Sequence, residues 1–419
     1  MLNRSELAAV ILCVVVCGLA YHGTAGDREK QALSILLVPW PASSHMMGWG
    51  NVGEELVRRG HNVTFCVAQT KSEFVTFGRQ ISSRTGMAFL PTLSGSEVSS
   101  YKVQKLPFNL DLEKMLKLED LLVFRWEFST ISKQIVETLD SERMKQWDIV
   151  LGEDLLWPLV GTLAKKWSIP VIHLSNILDF QPSNLPLWPY PLFATGYADD
   201  LTFLQRFYLA LLFPIQKVVI SYLETVLLSS GGLKDERSHI RPGVMSPYIV
   251  TTSFGFEYPK PLLPLYHYVG PIIENENTHP LHGLVKTWLD SKPQASVILI
   301  SMGTTVNLSD SECVSLTNGI LATPFSVLWS LQDVHLHELV RRVAGYQNEH
   351  KFFLSDWIPQ QAAARHKSVA IAILHGGAGG VSQCLYNGIP EIVIPSALDR
   401  DDMAARAVSG GAGLRMNRH

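Results

Sequence analysis

Cysteine is scarce, with five in 419 residues, and two of these, Cys13 and Cys17, sit in the N-terminal apolar run. The other three, Cys66, Cys313 and Cys384, have spacings that fit neither a metal site nor a disulfide framework, so each reads as a small buried hydrophobe. An excess of one charge is also missing: 35 Lys and Arg face 38 Asp and Glu, and no basic run stands out, which excludes nucleic acid as a partner. Small anions are not excluded, because helix N-termini hold phosphate without many basic side chains. Neither first βα turn offers Gly-x-Gly-x-x-Gly with a later acidic residue, which argues against a dehydrogenase. Internal repeats and low-complexity tracts are absent as well. What is present is a composition 47% hydrophobic and 17% charged, that of a globular chain with large buried sheets.

The N-terminus has the layout of a secretory signal peptide over residues 1–26: Arg4, an apolar run over 7–20, then Ala20, Gly23, Thr24, Ala25 and Gly26. The run falls short of the roughly 20 residues a membrane span needs. The expected location is therefore the secretory pathway, at or inside the endoplasmic reticulum or beyond it. Asn62-Val-Thr64 and Asn307-Leu-Ser309 match the glycosylation acceptor pattern, the first inside an expected strand.

The remaining length suits two α/β domains of about 200 residues each. Residues 32–39 (ALSILLVP) form an expected strand, 47–59 a helix that Gly60 ends, and 62–68 (NVTFCVA) a second strand, which together make a βαβ unit with a parallel sheet. The alternation repeats with strands at 148–151 and 170–174 around a helix at 159–167. A second series of strands follows at 297–301, 325–331, 369–374 and 390–395. Two such series imply two doubly wound, Rossmann-like domains. Pro259, Pro261, Pro264, Pro271 and Pro280 mark the join, giving domains over 27–262 and 285–419 with a linker over 263–284. Residues 201–228 are long and apolar but interrupted by Arg206, Pro214, Gln216, Lys217 and Glu224. They read as a helical pair that covers an apolar pocket or rests against a membrane surface.

The chemistry concentrates in residues 356–402. Trp357-Ile-Pro-Gln360 sets an aromatic face beside an amide in a proline-stiffened loop, able to stack on uracil and pair with its imide edge. Taken alone, Trp357 reads better as a core anchor. His375-Gly-Gly-Ala-Gly-Gly380 then follows a strand and precedes a helix expected from about Val381, a turn where backbone N–H groups and the helix dipole suit a pyrophosphate.

In this order the motifs resemble the UDP-glycosyltransferase family, which includes the glucuronosyltransferases. The resemblance rests on Trp357-Ile-Pro-Gln360, His375-Gly-Gly377, Gly388-Ile-Pro390, Pro395-Ser-Ala-Leu-Asp399 and the loop Ser301-Met-Gly-Thr304. It implies a GT-B fold, with two Rossmann-like domains facing across a cleft. It further implies a UDP-sugar as co-substrate, a small lipophilic acceptor, and neither prosthetic group nor metal. By the same resemblance Trp357, Ile358 and Gln360 hold uracil. Ser301, Gly303, Thr304, His375, Gly377 and the following amides hold the diphosphate, and Asp399 the sugar hydroxyls. Three positions depart from the family pattern. Its Asn and Ser are Gly379 and Gly380, its ribose-binding Glu is Gln383, and the Gln after Asp399 is Arg400, which could fork onto a uronate carboxylate.

The start of the first domain, residues 41–64, resembles the family's acceptor side, and there a histidine takes the proton from the acceptor hydroxyl. His45, in the loop before the first helix, is that residue by resemblance; an imidazole titrates in the range this task needs. Its carboxylate partner is expected to be Asp154, with Glu153 as competitor by one residue of spacing. The expected reaction is a single inverting displacement that moves glucose or glucuronate. The alternatives are a non-catalytic or impaired nucleotide-sugar binder and a sterol or lipid glycosyltransferase of the same architecture. Family members continue with further helices, so the reading expects a truncated C-terminal domain at His419.

Overall fold

The computed structural model describes residues 32–68, 72–91, 118–139, 146–175, 195–233, 246–253, 255–260, 262–273, 280–303, 306, 308–396 and 399–417. The expected signal peptide, the Asn307 acceptor site and Thr304 lie outside them. The chain forms two compact units that divide between residues 273 and 274, except that residues 195–201 group with the second. There Gly196 donates its N–H to Asp402 Oδ1 at 2.7 Å.

The first unit holds seven strands: β1 (Ser34–Val38), β2 (Asn62–Val67), β3 (Ala88–Pro91), β4 (Ile149–Glu153), β5 (Val171–Ser175), β6 (Tyr248–Val250) and β7 (Tyr266–Tyr268). All neighbours pair in parallel in the order 3-2-1-4-5-6-7. Parallel strands are covered on both faces, and their two-residue period sorts side chains between two cores. Ile35, Leu37, Ile149 and Leu151 pack with Met46, Trp49 and Leu56 of helix α1 (Ser43–Arg58). Leu36, Val38 and Val150 pack on the opposite face with Leu159 and Leu163 of helix α4 (Trp157–Lys166). Each such buried Leu or Ile contributes roughly 1.5–3 kcal/mol. Helices α2 (Ser72–Thr85) and α3 (Leu118–Leu139) complete this part of the unit.

The second unit repeats the pattern with β8 (Val297–Ser301), β9 (Ser326–Ser330), β10 (Phe352–Ser355), β11 (Val369–Leu374), β12 (Glu391–Val393) and β13 (Gly413–Arg415), ordered 10-9-8-11-12-13 and parallel throughout. Its helices are α6 (Gly283–Asp290), α7 (Asp310–Leu321), α8 (Val334–Ala344), α9 (Gln360–Ala364), α10 (Ala378–Tyr386) and α11 (Asp399–Ser409). Cys66, Cys313 and Cys384 are free and buried.

Three elements differ from the sequence expectation. Helix α1 starts at Ser43, so His45 lies in its first turn and not in a loop. The Met46 N–H closes that turn onto the Ala42 carbonyl at 2.9 Å, ahead of the point where apolar periodicity becomes visible. Residues 201–228 form no helical pair but one helix, α5 (Phe203–Ser230), with Pro214 inside it. The carbonyl that Pro214 leaves without a helical donor belongs to Ala210, an exposed residue. A capping box between Thr202 and Gln205 opens the helix. Helix α10 begins at Ala378, three residues earlier than expected, because the tertiary contacts of Ala378 and Val381 outweigh the poor helix propensity of Gly379 and Gly380.

Candidate active site

In the first sheet the chain winds outward through β1, β2 and β3, then returns to wind the other way from β4. The switch point therefore lies at the C-terminal ends of β1 and β4, where open α/β sheets place their ligands. His45 follows β1 and Glu153 ends β4. His45 Nδ1 lies 2.6 Å from Glu153 Oε1, with the imidazole 15% exposed and the carboxylate fully buried. Glu153 Oε2 accepts from the Trp49 indole at 2.5 Å and from the Trp40 backbone N–H at 3.1 Å. A carboxylate only accepts, so the ring proton resides on Nδ1 and Nε2 keeps the lone pair a general base uses.

The contact with His45 is therefore made by Glu153, where the sequence reading preferred Asp154. Asp154 begins a 3-10 turn after the strand and accepts from the Tyr248 hydroxyl at 2.8 Å. Burial, and then the Glu153 charge, push the Asp154 carboxyl up to about 7. Trp40, Trp49 and Tyr248 went unnoticed in the sequence. For Trp49 a signal existed, since it stands four residues after His45 and thus on the same helix face.

The second sheet switches direction between β8 and β11; Met302 and Gly303 follow the first of these strands and His375 to Gly380 the second, while Trp357 to Gln360 follow β10 and Asp399 and Arg400 follow β12. His375 follows β11, and its Nδ1 faces the Ser301 carbonyl of β8 at 3.4 Å. Two glycines flank the ring. A Cβ at Gly303 would lie 2.5 Å from His375 Cε1, and one at Gly377 would lie 2.6 Å from Nε2. Gly303 also has φ +67°, a backbone region open to glycine. Burial, and then the Arg400 guanidinium, push the His375 imidazole down to about 3, so the ring is neutral. Gly377 caps α10 without a side-chain hydrogen bond, leaving the first-turn amides of Ala378, Gly379 and Gly380 without helical partners.

Gln360 opens α9, and its Nε2 finds no acceptor among the described residues. A Cβ at Gly380 would lie 2.9 Å from that atom, so the glycine gives the amide its room. Trp357 is 55% exposed, which removes the core-anchor reading, while Ile358 is buried beside it. A Cβ at Gly379 would meet no atom within 4 Å among the described residues outside its own stretch of helix. Gln383 shares its helix face, being one turn further along α10. Asp399 opens α11, and Arg400 hydrogen-bonds Ser396. No group of three or more His, Cys, Asp and Glu side chains stands ready to hold a metal among the described residues.

Comparison with known proteins bears on the family and the fold. The family described as UDP-glucoronosyl and UDP-glucosyl transferase matches residues 34–419. A UDP-glucuronosyltransferase 2B9 of Macaca fascicularis is 25% identical over 96% of this chain and 77% of its own. Among solved structures, the glycotransferase of kitacinnamycin superposes with a TM-score of 0.61 at 18% identity, covering 93% of this chain and 87% of that one. Arabidopsis thaliana UGT89C1 complexed with UDP-L-rhamnose gives 0.60 at 19% identity, covering 93% and 86%. Those two likenesses bear on the fold, which is that of GT-B glycosyltransferases.

Proposed function

The chain belongs to the UDP-glucoronosyl and UDP-glucosyl transferase family and is a glycosyltransferase that takes a UDP-sugar as co-substrate; on that premise we propose that it moves glucose or glucuronate onto a hydroxyl of a small lipophilic acceptor, with His45 as general base. The observation that carries this reading is the contact between His45 Nδ1 and the buried Glu153 carboxylate at a sheet switch point. His45 Nε2 takes the acceptor proton as the oxygen attacks the anomeric carbon, and Glu153 stabilises the imidazolium that forms. The bond to UDP breaks on the opposite side, with inversion. Residues 27–262 supply the acceptor side and 285–419 the donor side.

Donor binding divides among residues of the second unit. The Trp357 ring stacks on uracil, beside Ile358, and Gln360 pairs its edge. Gln383 bonds the ribose without the charge a glutamate would add. Gly303, Thr304, Gly377 and the amides of residues 378–380, including Gly379 and Gly380, cradle the diphosphate beside Ser301. A neutral His375 with its proton on Nδ1 can donate to the diphosphate only after taking up a second proton, which the dianion's own field favours. Asp399 receives the sugar hydroxyls, and Arg400 makes glucuronate the preferred hexose.

Secretory localisation is part of the same reading, and α5 supports contact with a lipid surface. It is long and apolar enough to cross a membrane by length and composition. Its Val226, Leu227 and Leu228, however, are buried in the first unit's core. Phe203 (78% exposed), Leu204 (74%) and Val218 (69%) lie on the outward arc with Phe207, Leu211 and Ile215. Over residues 203–224 the charges are Arg206, Lys217 and Glu224, all on one edge of that arc, so cations outnumber the single anion there, which suits anionic headgroups.

The test is UDP release from UDP-glucose, UDP-glucuronate and UDP-N-acetylglucosamine against a panel of phenols and lipophilic alcohols. Acceptor-dependent release, fastest with glucuronate, is expected. UDP binding without release from any pair would overturn the reading.

A further inference from the structure

We propose that Trp49 is a positioning residue of the acceptor-activating pair: its indole N–H holds one oxygen of the Glu153 carboxylate so that the other faces His45. The inference rests on the reading of His45 as the base. Glu153 is wholly buried, and its terminal torsion is broad and roughly two-fold, so the carboxylate plane is set by its donors. Among the described residues, three donors set it. His45 Nδ1 occupies Oε1, while the Trp49 indole and the Trp40 backbone N–H share Oε2. The Trp40 donor comes from the loop after β1 and no side-chain exchange removes it.

Trp49 stands one helical turn after His45 on α1, so a single rigid segment aims both rings at one carboxylate. Helix position thereby fixes the spacing between the base and the group that orients its partner. Packing alone does not account for the indole bond. Trp329 is also completely buried, yet its Nε1 finds no acceptor among the described residues, so this fold tolerates a lone indole N–H. Without the Trp49 donor, Glu153 Oε2 keeps only the backbone bond. The carboxylate then turns, the proton on the imidazole distributes between Nδ1 and Nε2, and the population with a basic Nε2 falls.

Trp49→Phe keeps an aromatic ring and deletes the donor; the isosteric replacement by β-(3-benzothienyl)alanine deletes the N–H with no loss of volume, which covers the case where the phenylalanine variant folds poorly. Two readouts are taken on the full chain. One is kcat and donor KM for UDP release with a phenol acceptor. The other is the 15N shift of the His45 ring in labelled protein, assigned by its disappearance in His45→Ala. The expected result in both variants is kcat lower by about 10- to 100-fold, donor KM unchanged, and ring shifts moved from a fixed Nδ1–H form toward a tautomer average. Wild-type kcat, or a kcat loss with unchanged ring shifts in a folded variant, overturns the proposal. Wild-type turnover in His45→Ala would sink the base assignment instead, and the ring shifts still decide whether Trp49 sets the imidazole through Glu153.

Discussion

His45 and Glu153 are 108 residues apart in sequence yet meet at 2.6 Å, because β1 and β4 are neighbours in the sheet, Glu153 ends β4 and His45 lies in the first turn of α1, the helix that follows β1. The pair is thus a product of topology. Glu153→Gln replaces an acceptor-only group by an amide that can donate to Nδ1 and select the wrong tautomer. Turnover is expected to fall about 10²- to 10⁴-fold with UDP affinity unchanged. Asp154→Asn, which alters the Tyr248 contact instead, should cost no more than about threefold on the same scale. Steady-state kinetics and UDP calorimetry on both variants check the contrast.

Glycines proposed to hold the diphosphate separate into those with no room for a Cβ and those with room for one. Gly303→Ala would force a Cβ to within 2.5 Å of the His375 ring at φ +67°. UDP affinity is expected to drop by about tenfold or more, with a lowered Tm. Gly379→Ala sits in a helix, and its Cβ would meet no atom within 4 Å among the described residues outside that stretch of helix. It keeps the backbone N–H assigned to the diphosphate, so UDP affinity should fall less than in Gly303→Ala, while the helix gains up to about 1 kcal/mol of stability. Thermal melts with and without UDP distinguish the two.

Glu391 places a carboxyl with no hydrogen-bond partner among the described residues inside the second sheet, and burial pushes it up to about 9 from 4.5. The folded state then holds a proton that the unfolded chain releases above its own pKa. Stability from this group is full below pH 4.5 and is lost progressively as pH rises toward 9. Between pH 4.5 and 7 the loss amounts to roughly 3 kcal/mol. Glu391→Gln should remove that slope and raise Tm at pH 7 and above, measured by melts across the pH range. A slope unchanged by the substitution would contradict the assignment.

The outward arc of α5 predicts sedimentation with vesicles that contain anionic lipid. Leu204→Ser with Val218→Ser should abolish it, leaving UDP-sugar turnover with a soluble phenol unchanged within about twofold. Binding that survives both substitutions would place the contact elsewhere.

Much of the fold is legible in the sequence because buried parallel strands are unbroken apolar runs: 32–39, 297–301 and 369–374 contain strands, and 148–151 overlaps β4, which runs on to Glu153. The strands that escaped, β3, β6, β7, β10 and β13, are three or four residues long, and β7 is Tyr-His-Tyr, with no apolar run to betray it. The choice between Glu153 and Asp154 turned on strand parity. Glu153 follows Ile149 and Leu151 on the face that α1 covers, whereas Asp154 lies past the end of the strand, in a 3-10 turn against Tyr248 of β6. Spacing alone cannot say which face a helix will cover, since that depends on the handedness of the whole crossover. Likewise Gly379 and Gly380 argue locally against helix, and only packing of their neighbours settles the start of α10.

UDP release by His45→Ala, at saturating donor and phenol, tests the account most directly. Turnover should fall about 10²- to 10⁴-fold while the UDP dissociation constant stays within about twofold of wild type. Turnover within twofold of wild type, in a variant that binds UDP equally well, would show that another group removes the acceptor proton.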